Sequence, residues 1–261
     1  IDINIKKKVF ENYKWEKILK GENIFKNIIR IKNQSNITKL PHFENGSWWV
    51  QGLSASLPVF LISSIFKKNK RKVTVLDVGA APGGKSFQLI DLGFKVKSIE
   101  ISKKRVLTFS SNLNRLNISS EIINEDFLNV KINKKFDCVL IDAPCSGSGL
   151  MQKKPEILVL KKDISNLVSK QKKMLQRASN LVKDGGYIIY CVCSLLKEEG
   201  EKQITTFLND QKCFSAENLF GDILEFGMVL KSNTFLATPN YFKKKGGIDG
   251  FFIACLVKNK V

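Results

Sequence analysis

Apolar and polar positions alternate between two periods along this chain, most regularly from residue 73 onward. Apolar runs rich in β-branched residues at 73–78, 95–100, 121–123, 136–141 and 187–193 predict strands. The stretches between them, at 85–92, 102–116 and 161–182, and a further one at 198–208, read as helices. Strands alternating with helices predict an α/β fold, a mainly parallel Rossmann-like sheet covered on both faces, with ligands outside the carboxyl ends of its strands. The tail adds EFGMVL, TFLAT and GFFIACLV, expected to close the sheet as antiparallel strands.

Upstream the pattern is weaker. Residues 1–42 are basic, with helical-looking stretches at 9–19 and 23–31 and then a polar segment, IKNQSNITKLP. They are expected to form a small helical accessory region that contacts RNA, packs on the core or stands as a solvated extension, with the main domain over 43–261. A turn at Asn45-Gly46 leads to Trp48, Trp49 and Val50, and a helix starts near Ser54. Two tryptophans beside a helix read first as core and second as a stacking surface for a base.

The loop after the first regular strand carries candidate chemistry. In KVTVLDVGAAPGGKS the strand ends at Asp77, and Gly79, Ala80, Ala81, Pro82, Gly83 and Gly84 open onto a helix. Small residues let the backbone approach a ligand, and a helix N-terminus favours hydrogen-bond acceptors and anions. Gly79 to Ser86 is a literal phosphate-loop pattern, and Asp142 at the end of FDCVLID is a possible magnesium partner, so a nucleotide triphosphatase is one reading. Pro82 removes an N–H from such a loop, and Asp77 places a carboxylate near a polyanion. A ligand carrying a cation suits Asp77 better. S-adenosylmethionine is such a ligand, with Glu100 at the next strand end placed to accept its ribose hydroxyls.

Composition narrows the partners. The chain has 261 residues, with 43 Lys and Arg against 24 Asp and Glu, a formal net charge of +19. RNA or DNA is the expected polyanionic partner, because no run approaches the length of a membrane span. Lysines such as Lys67, Lys68, Lys70 and Lys72 also suit a solvated linker. Six irregularly spaced cysteines are expected as free thiols in a reducing cytoplasm. His42 is the single histidine, which argues against histidine triads and His-rich metal sites, and no metal is expected. No signal peptide is evident, and the chain opens on Ile1 rather than Met, consistent with a fragment.

Two cysteines stand apart. Cys138, Cys191, Cys213 and Cys255 read as small hydrophobes, whereas Cys145 and Cys193 lie in turns just beyond strand ends, on the ligand edge. The combination of DVGAAPGGK, DAPCSGSG and YCVCS with a following acidic cluster resembles the RNA cytosine-5 methyltransferase family, most closely its bacterial 16S ribosomal RNA branch of the Sun or Fmu type. DGFF, residues 249–252, resembles that family's closing motif. The resemblance runs from about Phe43 to Val257. It implies a seven-stranded methyltransferase sheet, S-adenosylmethionine as cofactor, and RNA as substrate, ribosomal before transfer RNA, for a cytoplasmic monomer. It further implies that residues 79–85 bind the methionine part, Glu100 the ribose and Asp126 the adenine side, with Asp77 and Arg105 in the cofactor set. Asp142 meets the cofactor edge or the base, Cys193 is the nucleophile, Cys145 assists release, and Lys85 joins the catalytic group. The chain departs from the family pattern at Gly52, Lys154-Pro155-Glu156, Val192 and Gly200, all positions bearing on substrate contacts.

Chemistry supports these roles. Carbon 5 of cytosine is a poor nucleophile, so a thiolate first adds at carbon 6. A thiol with pKa of about 8.5 needs activation for this, and the positive field including Lys85 supplies part of it. Proton donation or hydrogen bonding by Asp142 relieves charge on the base, and the target cytosine must be unpaired or extruded.

Overall fold

The computed structural model describes residues 1–32, 36–68, 70–159 and 163–260. The N-terminal part is a sheet, not the expected helical region. Strands β1 (Asp2–Ile5), β2 (Gly21–Phe25), β3 (Ile28–Ile31) and β4 (Trp48–Val50) pair antiparallel in the order β2-β3-β1-β4. Only the one-turn helices α1 (Lys7–Phe10) and α2 (Trp15–Ile18) remain of the helical pattern. The reason is long-range burial: Ile3, Ile5, Ile29, Ile31, Trp15 and Trp48 form one apolar cluster that pairing β1 with β3 and β4 brings together. Trp48 and Trp49 are both buried, so they are core rather than a stacking surface.

Buried Asp2 fixes this sheet to the rest. Its carboxylate takes a two-pronged ion pair from Arg30, at 2.7 and 2.9 Å, and accepts the Leu53 N–H at 2.9 Å, at the start of α3 (Leu53–Ile65). The remaining Arg30 nitrogen donates to the carbonyls of Lys245 and Gly247.

The large sheet has nine strands among the described residues, two more than expected. Its parallel part is β5 (Thr74–Val78), β6 (Lys95–Ile99), β7 (Glu121–Ile123), β8 (Phe136–Asp142) and β9 (Val182–Val192), in the order β7-β6-β5-β8-β9. Helices α4 (Gly84–Asp91), α5 (Lys103–Arg115) and α6 (Ile164–Leu181) make the crossovers. The start of the helix expected at 161 lies outside the described residues; α6 itself is capped by Asp163, which accepts the Asn166 N–H at 3.0 Å. After α7 (Glu201–Asp210) the chain breaks into β10 (Phe214–Ala216), β11 (Met228–Val229), β12 (Thr234–Ala237) and β13 (Phe251–Lys258). β13 runs antiparallel beside β9, and β10 and β12 share its outer edge at opposite ends. That sharing accounts for the extra strands.

Strand order reverses direction between β5 and β8. The loops after these two strands therefore part and leave a crevice, as expected of an open α/β sheet. Strand β8 is buried nearly throughout, so its FDCVLID sequence is continuous rather than alternating.

Candidate active site

Two cavities adjoin at that crevice. One of about 210 Å³ is lined by Asp77, Gly79 to Pro82, Gly84, Lys85 and Asp142, with Gln51 on its far wall. The other, about 460 Å³, is lined by Gly79, Glu100, Arg105, Asp126, Asp142, Cys145 and Cys193. Gly79, Arg105 and Asp142 belong to both. The expected residues are thus assembled, except that Gly83 faces neither cavity. It instead turns the chain into α4 at φ 120°, where a Cβ would lie 1.9 Å from the Phe87 ring.

Gly79 shows why the loop is built of small residues. Its N–H and that of Ala80 donate to the Ile99 carbonyl at 2.9 and 3.1 Å, and a Cβ on Gly79 would sit 2.5 Å from the Asp142 carbonyl oxygen. Arg105 donates to the carbonyl of Ala81, in the cis Ala81–Pro82 peptide, from the opposite wall.

Asp77, Glu100 and Asp126 face the cavities in different surroundings. Asp77 is fully buried; Oδ2 accepts from Ser86 at 2.5 Å, Ser86 in turn contacts Ser98 at 2.9 Å, and Oδ1 has no hydrogen-bond partner. Burial pushes its carboxyl up to about 6, against the opposing hydrogen bond from Ser86. Glu100 is 2% exposed; Oε1 accepts the Ser102 N–H at 2.9 Å, while Oε2 has no hydrogen bond and Arg105 stands 3.3 Å away. Asp126 accepts from its own Leu128 N–H and has Lys170 at 3.9 Å. Two buried carboxylate oxygens lacking donors suit a ligand that brings a cation and hydroxyl groups. They do not suit a triphosphate, and Lys85 is already paired with Asp142 at 2.7 Å.

Burial alone would pull the Lys85 ammonium down, but the Asp142 carboxylate overrides this and holds it above its ordinary value. Lys85 also stands 5.6 Å from the centre of the Phe251 ring.

Cys145 and Cys193 meet with their sulfurs 3.3 Å apart. Parallel pairing explains this: Asp142 is in register with Cys191, so the turns three and two residues further on are brought side by side. The pair is polarised. The hydrogen bond donated by the Cys145 thiol lowers Cys193, against burial, and the Lys85 charge adds to the lowering. The same contact, with burial, raises Cys145. Of the two sulfurs, Cys193 is thus the one whose thiolate is favoured and Cys145 the one whose thiol form is favoured. Cys138, Cys191 and Cys255 are buried and Cys213 is half-buried.

Sequence reasoning missed the frame around the sulfurs. Buried Glu199 accepts the Ser146 N–H at 2.8 Å, the Ser146 hydroxyl at 2.6 Å and Gln171 at 3.1 Å. Ser194 contacts Ser146 and Ser148, at 3.2 and 3.0 Å, and Gly149 N–H donates to the Cys193 carbonyl. Gly149 also packs on Gly250 of the DGFF segment, whose N–H donates to Gly149 O at 2.8 Å. The acidic cluster and DGFF signalled these segments, but no spacing rule indicates that they touch the cysteine loops.

Among the described residues no His, Cys, Asp and Glu group could hold a metal, and no helix is long and apolar enough to cross a membrane. Comparison with known proteins agrees with the geometry. Ribosomal RNA small subunit methyltransferase B of Photorhabdus laumondii is 34% identical over 237 residues, 88% of this chain and 51% of that protein. Its counterpart in Proteus mirabilis is 34% identical over 193 residues, 71% and 44% respectively. The chain thus spans about half the length of the curated relatives it matches. The crystal structure of PH0851 has a TM-score of 0.84 at 29% identity, covering 99% of this chain and 59% of that one. NSun6 from Pyrococcus horikoshii with SFG shares the fold, at 24% identity with a TM-score of 0.74, over 87% and 57%. The model of the family described as 16S rRNA methyltransferase RsmB/F matches residues 65–257, which contain both of these cysteines and most of the lining of the two cavities, and the chain belongs to that family.

Proposed function

We propose that this protein methylates carbon 5 of a cytosine in RNA, 16S ribosomal RNA first, with S-adenosylmethionine as donor and a cysteine adduct at carbon 6. The observation that carries this reading is the polarised sulfur pair in a cavity continuous with the glycine loop. The unpartnered Oδ1 of Asp77 fits the cofactor's ammonium, the Glu100 carboxylate, whose Oε2 takes no hydrogen bond and has Arg105 at 3.3 Å, fits its ribose hydroxyls, and the glycine loop fits its amino-acid end. When bound, the cofactor supplies an electrophilic methyl group.

The chain's own residues prepare the base. Cys193, held as thiolate by the Cys145 hydrogen bond and the Lys85 charge, adds to carbon 6 and makes carbon 5 nucleophilic. Asp142, fixed by Lys85 at 2.7 Å, lines both cavities and accepts a hydrogen bond from the amino group of the base. Cys145 then serves elimination: with the carbon 5 proton removed, the bond from carbon 6 to sulfur breaks and Cys193 leaves as thiolate, again stabilised by the Cys145 S–H. Lys153 and Lys154 beside the cavities, and the excess of cationic residues overall, suit an RNA strand.

The test is methyl transfer to 16S ribosomal RNA and, in parallel, to transfer RNA, with nucleoside analysis of the product. Wild type is expected to yield 5-methylcytidine, and Cys193→Ala none while still binding S-adenosylmethionine. Methylation by Cys193→Ala would refute the adduct.

A further inference from the structure

A buried carboxylate with no cation beside it calls for an explanation. Glu199 is 0% exposed, and among the described residues no Lys or Arg forms an ion pair with it. It is held by donors alone: the Ser146 N–H, the Ser146 hydroxyl and the Gln171 amide. Gln171 in turn donates to the Pro144 carbonyl at 2.9 Å and accepts from Gln203 at 3.1 Å. The chain around Cys145 is thereby clasped at Pro144 and at Ser146. Glu199 itself follows the Cys193 turn by six residues, and Tyr190 of β9 anchors it by donating to its carbonyl at 2.7 Å. Glu199 therefore ties the segment that leaves the Cys193 turn to the turn that carries Cys145, by its backbone on one side and its carboxylate on the other.

We infer that Glu199 is a positioning residue that holds the Cys145 thiol as the hydrogen-bond donor to Cys193, across the 3.3 Å sulfur contact. The inference rests on the methyltransferase reading for its consequence in turnover, though not for the contact itself.

Charge acts in the same direction as geometry. A carboxylate near Cys145 favours the protonated form of that thiol, so the shared proton stays on Cys145 and the negative charge on Cys193. Facing Cys193 are Lys85, which favours its thiolate, and Asp142, which opposes it. Facing Cys145 are the Gly147 N–H, which favours its thiolate, and Glu199, which opposes it; the Tyr190 phenol, raised by burial, stays protonated. At Cys193 the opposing Asp142 charge outweighs Lys85, so the polarity of the pair rests first on the Cys145 hydrogen bond whose turn Glu199 holds.

The test needs no RNA. Alkylation of Cys193 by iodoacetamide, with peptide mapping, is followed across pH in wild type, Glu199→Ala, Cys145→Ala and the double variant. Glu199→Ala is expected to slow alkylation at neutral pH by roughly five- to tenfold, the change in thiolate fraction that follows a pKa rise of about one unit. Cys145→Ala is expected to match it, and the double variant to be no slower than Cys145→Ala, because both remove one hydrogen bond. Glu199→Gln keeps an acceptor oxygen for Ser146 and should fall between wild type and Glu199→Ala. If Glu199→Ala does not fold, the Glu199→Gln cycle with Cys145→Ala makes the same comparison. Unchanged or faster alkylation in the Glu199 variant, or losses that multiply in the double, would overturn the inference. In cells, Glu199→Ala is expected to retain covalently attached RNA as Cys145→Ala does. If neither retains RNA, the methyltransferase reading fails and alkylation alone decides the role of Glu199.

Discussion

Replacing Asp77 by Asn separates what this carboxylate does to stability from what it does for binding. Its carboxyl is pushed from 3.8 to about 6 by burial, so between those values the folded protein holds a proton that the unfolded chain has released. The sign follows directly. A raised carboxyl contributes its full stability only below the unfolded value, and that contribution is lost as pH rises to about 6. From about pH 4.5 to about pH 7 this amounts to about 2 kcal/mol lost by wild type. Asn titrates nowhere in this range and escapes the loss. Its amide, however, puts N–H groups where Oδ1 already lacks a partner, which costs about 1–3 kcal/mol at every pH. The stability of the variant relative to wild type is expected to improve by about 2 kcal/mol, or roughly 4–8 °C in Tm, between about pH 4.5 and about pH 7. Urea unfolding at both pH values measures it, and parallel profiles for the two proteins would refute a raised Asp77 carboxyl. Binding moves the opposite way. A cofactor ammonium needs the ionised carboxylate, so S-adenosylmethionine affinity in wild type should weaken about tenfold between pH 7 and pH 5, and this dependence should vanish in Asp77→Asn.

Other perturbations probe the frame. A Cβ at Gly149 would lie 2.0 Å from the Gly250 carbonyl oxygen, so Gly149→Ala should lose about 3 kcal/mol or more in denaturant unfolding. At Gly52 the nearest atom is the Asp249 carboxylate at 3.5 Å, and Gly52→Ala should change stability by less than about 1 kcal/mol. Arg30→Ala leaves buried Asp2 uncompensated and releases the Lys245 and Gly247 carbonyls; a loss of about 3 kcal/mol is expected, with faster proteolysis near residues 243–247.

The parallel half of the sheet was legible because its strands are short apolar runs punctuated by Asp and Gly, and its helices follow at crossover spacing. The small sheet was not. No glycine or proline stands between β2 and β3 to mark the hairpin; the turn there is Lys26-Asn27, with Lys26 at φ 45°. The small sheet's core exists only once β1 pairs with β3 and β4 and brings Ile3 and Ile5 to Ile29 and Trp48, contacts distant in sequence. The site divides similarly. Cys145 and Cys193 could be paired from sequence because adjacent parallel strands end at matching points. Glu199 and Gly250 reach the cysteine loops through the path of α7 and β13, which local pattern does not encode. The literal phosphate-loop pattern has another physical basis: its lysine is engaged by Asp142, Gly79 makes room for the Asp142 backbone, and Gly83 and Gly84 make room for the Phe87 and Gln51 side chains.

The most direct test of the account is expression of Cys145→Ala in cells, followed by a denaturing gel and sequencing of any RNA that stays on the protein. Cys145→Ala is expected to carry covalent RNA joined at one cytosine, and the Cys145→Ala, Cys193→Ala double variant to carry none. Retention of RNA by the double variant, or methylation that survives loss of Cys193, would contradict a thiolate adduct as the basis of catalysis.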